Sequence, residues 1–212
     1  MTSPYLTIAQ NTSYEITIKK SRFICSIARA TTEQAAQDFI SQVQADNKKA
    51  THNCFAYLLG DNDQIQRESD NGEPSGTAGI PILESLKMAK IHNVVAVVTR
   101  YFGGIKLGAG GLIRAYSNTT TDAIHQAGLI QRIKQTTLQI TVSYSLHDQL
   151  LYYLKENQLE VAGEEYGVNV VTSVYVNEND LASVTAALTN RFNNQLQITK
   201  GTPRFNEIPY QP

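Results

Sequence analysis

Five apolar residues in a row, Val94-Val95-Ala96-Val97-Val98, run directly into Thr99-Arg100-Tyr101-Phe102-Gly103-Gly104-Ile105-Lys106-Leu107-Gly108-Ala109-Gly110-Gly111-Leu112-Ile113-Arg114-Ala115-Tyr116. The β-branched run shows no alternation, so it predicts a strand covered on both faces. Residues 112–126 are long enough for a helix, with Gly128 at its C-cap region. A buried strand that empties through glycines into a helix gathers backbone N–H groups around a concavity. The helix N-terminus faces the same place, and both favour an anion. Arg100, Lys106 and Arg114 are the basic residues of the stretch, which has no acidic one. The same glycines equally suit a tight strand-to-helix turn that packs closely and binds nothing. Their spacing is neither a dinucleotide fingerprint nor a P-loop. Gly104 and Gly110 are expected in backbone conformations that a side chain disfavours.

Upstream, Tyr14, Ile16 and Ile18 alternate with polar residues, and Phe23, Cys25 and Ile27 repeat the pattern, which predicts a hairpin. Thr31 with Gln34 reads as a capping box for a helix to about residue 45. Residues 53–59 and 64–68 read as a strand, a turn and its return strand. The segment 69–79 holds Gly72, Gly76, Gly79 and Pro74 and reads as a loop, followed by a helix over 82–90. The polar segment 130–136 is the expected domain boundary. Beyond it, alternation through Leu138, Ile140, Val142 and Tyr144 begins a β-α-β-β-α-β pattern, the split βαβ arrangement of ferredoxin-like domains. Residues 203–212 read as a loose tail.

Composition narrows the function. A net charge of -1 gives no global signature of a nucleic-acid binder, so any affinity for a polyanion must come from a local patch. The two cysteines have no metal-ligand spacing and point to a reducing cytoplasm, and no apolar run reaches membrane-spanning length. Asp70 and Glu73 could serve as an acid–base pair or as acceptors for their own loop's N–H groups. His52 and Cys54 stand two apart on one strand face, too far for a nucleophile pair, so Cys54 reads as a small buried apolar residue. Ser75 and Ser117 lie in no Gly-x-Ser-x-Gly elbow, and Ser75 and Thr77 read as hydroxyl acceptors for loop or helix-start N–H groups. Tyr101 and Tyr116 could stack a base or line the turn.

Three long motifs resemble the IMPACT/YigZ family. They are Ala50-Thr51-His52-Asn53-Cys54-Phe55-Ala56-Tyr57, then the loop from Asp70 through Gly79 to Leu83, then the run from Val98 to Ser117; Ser21-Arg22-Phe23-Ile24 also matches. The resemblance covers about residues 15–125, and the C-terminal half is similar to the small α+β domain appended in bacterial members. It implies an α+β chain. The N-terminal domain, 1–132, would be a ribosomal-protein-like α/β domain of the small-subunit, second-domain type. The C-terminal domain, 133–212, would be ferredoxin-like and similar to a domain of elongation factor G. Eukaryotic relatives regulate translation by competing for the protein that activates an initiation-factor kinase; bacteria lack that pathway, so that partner does not transfer. The family usually carries Asp-Asp-Gly-Glu-Pro where this chain has Asn71, which would weaken a metal pair there. A proline-dipeptidase label carried by some members is rejected, because no His/Asp/Glu array for two metals is present.

The expected function is a non-enzymatic, cytoplasmic, translation-associated regulator that binds RNA or the ribosome. Its site would comprise Arg100, Tyr101, Gly103, Gly104, Lys106, Gly108, Gly110, Gly111 and Arg114, with His52, Asp70, Glu73, Ser75 and Thr77 as a second group. No catalytic residue, metal or cofactor is expected. Two alternatives stay open: an enzyme on a small phosphorylated or acyl substrate with Glu73 or His52 as base, and a protein-partner module. Oligomeric state is not legible.

Overall fold

The computed structural model describes residues 4–60 and 62–210. In chain order the elements are β1 (Tyr5–Ile8), β2 (Thr12–Ile18), β3 (Ser21–Arg29), α1 (Glu33–Asp46), β4 (His52–Leu59), β5 (Ile65–Ser69), α2 (Gly79–Met88), β6 (Val94–Tyr101), α3 (Ala109–Ala127) and β7 (Leu129–Val142). Then come α4 (Tyr144–Glu156), β8 (Val161–Tyr166), β9 (Val170–Asn177), a 3-10 turn over Glu178–Asp180, α5 (Leu181–Arg191) and β10 (Gln197–Tyr210). This is an α+β chain of two compact units. One holds the described residues up to Arg132 together with 207–210, and the other is Ile133–Asn206.

The first unit is built on a sheet of order β2-β3-β6-β4-β5, antiparallel at every pairing. β6 lies at its centre, between β3 and β4. Its apolar run is explained by cover on both faces. Val94, Ala96 and Val98 join the core beneath α2 and α3, while Val95 and Val97 join the core of α1 with Ile40, Val43 and Tyr57. Helix α1 starts one residue later than the capping pattern predicts: Thr32 is the N-cap, and its Oγ1 accepts the Ala35 N–H at 3.2 Å. Strand β1, absent from the sequence reading, pairs antiparallel with the start of β7, from Tyr5 opposite Arg132 to Ile8 opposite Leu129.

In the second unit the strands lie in the order β10-β7-β9-β8, which is 4-1-3-2 in that unit's own count and the order of a ferredoxin-like sheet. Leu138, Ile140, Val174, Leu150 and Leu188 fill its core. Three expectations need correction. The strand expected to begin at Leu138 begins at Leu129 and runs through the polar segment 130–136 as β7, because that segment's polar residues have cross-strand partners. Gln135 Nε2 donates to Asn177 Oδ1 at 3.1 Å and Thr136 Oγ1 to Glu178 at 2.8 Å. Tyr144 opens α4 rather than ending a strand. The tail is ordered as β10 through Tyr210, with Arg204 Nε donating to Gln135 Oε1 at 3.0 Å.

No helix among the described residues is long and apolar enough to cross a membrane.

Candidate functional site

The loop between β5 and α2 is organised by one carboxylate. Asp70 Oδ2 accepts the Gly76 N–H at 2.8 Å, and Oδ1 accepts those of Ala78 and Gly79 at 2.9 Å each. Ala78, the N-cap residue of α2, has no side-chain acceptor of its own, so Asp70 caps that helix from eight residues upstream. Burial alone would raise the Asp70 pKa, but the three backbone donors outweigh it and hold it below its ordinary value. Asn71, in place of the acid that the resemblance leads one to expect, sits at φ +42° before Gly72 at φ +87°. Asparagine tolerates that left-handed conformation, and Asn71 Oδ1 accepts the Asn53 N–H at 2.9 Å. Its carboxamide therefore has a structural task in the turn.

Glu73, three residues on, points the other way and is buried. Its Oε1 accepts from Arg100 Nη1 at 2.6 Å and from the Tyr116 hydroxyl at 2.9 Å. Loop, β6 and α3 thus meet at one carboxylate oxygen. Arg100 is 5 % exposed and lies between two rings, 5.3 Å from the centroid of Phe23 and 5.4 Å from that of Phe102. Its Nη2 reaches Ser21 Oγ only at 3.4 Å, and its buried Nε–H has no acceptor. An unpaired buried donor ordinarily costs roughly 1–3 kcal/mol. Cys54 donates to the Asp70 carbonyl at 2.9 Å, and burial pushes its thiol pKa up to about 12, as it does that of Cys25. Both cysteines are unreactive thiols near neutral pH. Tyr116 is likewise raised, by burial first and then by Cys54 and Glu73.

His52, at the start of β4, lies within 2.9 Å of the Asn71 carbonyl through Nδ1. A carbonyl only accepts, so Nδ1 carries the proton. Nε2 is 3.8 Å from Glu73 Oε2.

His52, Glu73 and Arg100 line a cavity of about 390 Å³ with Thr51, Pro74, Phe102, Lys106, Leu107, Gly108, Ala109 and Leu112. Its edge is the start of α3. Gly108 precedes the helix at φ +75° and supplies no cap, and the Ala109 and Gly110 N–H groups have no partner among the described residues. Lys106 is exposed and has no ion-pair partner among them. A nineteen-residue helix therefore presents its positive end, with a lysine beside it, at the mouth of a cavity.

A family model described as the Impact N-terminal domain matches residues 19–124, and one described as a domain of unknown function, DUF1949, matches residues 140–195. The IMPACT family member YvyE of Bacillus subtilis (strain 168) is 41% identical over 207 residues, covering 98% of this chain and 95% of that protein. The chain belongs to the IMPACT family. The IMPACT family member YigZ of Escherichia coli (strain K12) is 33% identical over 183 residues, covering 85% of this chain and 90% of that protein. A solved structure titled "Crystal structure of an hypothetical protein" superposes with a TM-score of 0.60 at 32% identity, covering 93% of this chain and 97% of that one.

In this IMPACT-family chain the residues singled out from sequence divide into separate places. His52, Glu73, Arg100, Lys106 and Gly108 share the cavity. Gly111 and Arg114 line a different hollow of about 250 Å³ with Ile18 and Lys19. Tyr101 is in neither; its hydroxyl donates to Asn47 Oδ1 at 2.9 Å and Arg22 covers its ring. Asp70 and Thr77 serve the loop, Thr77 Oγ1 donating to the Pro74 carbonyl at 2.6 Å, and Ser75 is exposed outside the cavity. Arg100 is no surface cation but the buried counterion of Glu73. Gly103 allows a close approach: a Cβ there would collide with the Lys20 backbone. Gly104 has φ +82°, as expected, but Gly110 is an ordinary helical residue, because α3 begins three residues earlier than predicted. Phe102 and Thr51 were missed as cavity residues; their adjacency to Arg100 and His52 was the available signal.

Proposed function

We propose that this IMPACT-family protein is a non-enzymatic, translation-linked binding protein whose glycine-turn helix takes a phosphate of RNA. The observation that carries this reading is the uncapped start of α3, with free N–H groups at Ala109 and Gly110 and Lys106 beside them. Anions are held there by hydrogen bonds and by the helix dipole together. Arg114, in the neighbouring hollow, extends the basic surface by one further charge. With Arg100 neutralised inside the fold, the site offers few cations, so affinity for single-stranded RNA is modest. Each phosphate contact contributes about -0.7 to the slope of log affinity against log salt. The test is an anisotropy titration with single-stranded RNA at several salt concentrations. Lys106→Ala is expected to flatten the slope by about 0.7 and to weaken binding at low salt. An unchanged slope in a folded variant refutes the site.

One observation favours a second reading. His52 and Glu73 face the same cavity, as an enzyme acting on a small phosphorylated or acyl substrate would need. Against it, Glu73 is committed to Arg100 and Tyr116, and Asp70 to backbone donors. Turnover of small phosphate or acyl esters that disappears in His52→Ala would favour it over RNA binding.

A further inference from the structure

Apolar side chains of Pro74, Phe102, Leu107 and Leu112 wall the cavity that Glu73 and His52 also line. The Glu73 side chain is only 3 % exposed, and its Oε1 is filled by Arg100 and Tyr116. Its Oε2 accepts no hydrogen bond among the described residues. His52 Nε2 stands 3.8 Å from that oxygen, beyond hydrogen-bond reach. The His52 proton is on Nδ1, donated to the Asn71 carbonyl, so Nε2 of the neutral ring is an acceptor as well. Neither atom is sealed in: among the described residues, the fully enclosed side-chain atoms without a partner are Thr7 Oγ1 and Arg100 Nε alone. Two neighbouring acceptors without donors therefore open into a cavity with largely apolar walls. An acceptor desolvated without a donor costs free energy, and a ligand that brings the donor recovers it. A phosphate is repelled from this floor by the carboxylate and stays at the edge, beside the Ala109 and Gly110 N–H groups. What descends further is neutral, flat and donor-bearing. The exocyclic amino group of adenine, cytosine or guanine carries two N–H donors, one for each acceptor. Uracil has a single N–H between two carbonyl oxygens, which would face the two acceptors. The half-exposed ring of Phe102 supplies a stacking face.

We infer, resting on the RNA-phosphate reading above, that the cavity receives an unstacked RNA base bearing an exocyclic amino group, in preference to uracil, through Glu73 Oε2 and His52 Nε2. Free nucleosides present the same group, so the experiment separates the two sources.

The full chain is titrated with labelled oligouridine strands of about ten nucleotides that carry one central adenosine, purine riboside or uridine. Purine riboside keeps the adenine ring and its stacking but lacks the amino group. The adenosine strand is expected to bind about tenfold more tightly than the purine riboside strand, the equivalent of one hydrogen bond to a charged acceptor. Two variants locate the effect, with melting curves to show that they fold. His52→Phe keeps a ring but removes the Nε2 acceptor, and it is expected to lower the adenosine preference without changing the salt slope. Ala109→Leu, at an exposed position on the cavity's edge, narrows the entrance and is expected to lower the preference too. Equal binding of the adenosine and purine riboside strands with a Lys106-dependent salt slope overturns the base inference and leaves the RNA reading standing. No salt-sensitive binding of any strand overturns both. Free adenosine bound as tightly as the adenosine strand, with no salt dependence for either, overturns the RNA source. Full adenosine preference in both folded variants overturns the location.

Discussion

Two helices of the first unit begin after glycine-rich loops, and their starts are treated in opposite ways. At α2 the Ala78 and Gly79 N–H groups are taken by Asp70, whose carboxylate also fixes Gly76. At α3 the corresponding groups of Ala109 and Gly110 are left open, with a lysine instead of an acid nearby. Both loops carry residues that could do chemistry. The difference shows that loop composition does not tell a site from a scaffold; what tells them apart is whether the chain supplies its own counter-charge. Where it does, the loop is holding itself together. Where it does not, the positive helix end is available to something else.

The largest effect is expected at the floor beneath α3, where Glu73 joins both loops. Glu73→Gln keeps the shape and an acceptor for Tyr116 but leaves the Arg100 guanidinium buried without a counter-charge. Breaking one side of a buried pair costs about 3–5 kcal/mol. Adding Arg100→Met should recover a substantial part of that loss, because the uncompensated charge is then gone. Urea denaturation midpoints at constant m-value are the measurement. A single variant as stable as the wild type would mean that the floor is not what ties the loops together.

Next in size is the cap on α2. Asp70→Asn retains one acceptor oxygen but turns an N–H₂ group towards backbone donors, and losing such a cap costs about 0.5–2 kcal/mol. The pH dependence follows from the lowered Asp70 pKa. A carboxylate whose folded pKa is depressed stabilises the fold above its unfolded value, near 3.8, and loses that contribution as pH falls through the folded value. The stability gap between wild type and Asp70→Asn should therefore be flat near neutrality and close in acid. A gap that widens on acidification would assign the effect to another group.

Much of the fold was legible because periodicity reports burial. The 94–98 run marked β6, although the sheet around it is antiparallel; cover on both faces, not strand direction, makes a strand uniformly apolar. What failed were segments whose polar residues are satisfied by distant partners. Gln135 and Thr136 look like linker until Asn177 and Glu178 are placed opposite them. The segment from Pro203 on reads as a loose tail, yet it is β10 as far as Tyr210. The site was half legible for the same reason. Glycines and a lysine before a helix announce an anion-friendly turn, but Arg100 looks identical in sequence whether it faces solvent or a glutamate 27 residues upstream.

The smallest effect tests the comparison most directly, because it makes α3 resemble α2. Ala109 is exposed at the first helical position. An acid in the first turn stabilises a helix by about 0.3–1 kcal/mol through its dipole, less as salt rises. Ala109→Asp should therefore raise thermal stability slightly at low ionic strength, and the gain should shrink with added salt. At α2 the position is already filled, so an acid at exposed Ile80, in the first turn there, meets N–H groups that Asp70 has partly satisfied. Ile80→Asp should gain less than Ala109→Asp under the same conditions. Equal gains at both helices, read from melting curves at low and high salt, would show that the α3 start is no more open to an anion than the α2 start. The reading of the cavity as a phosphate site would then lose its physical basis.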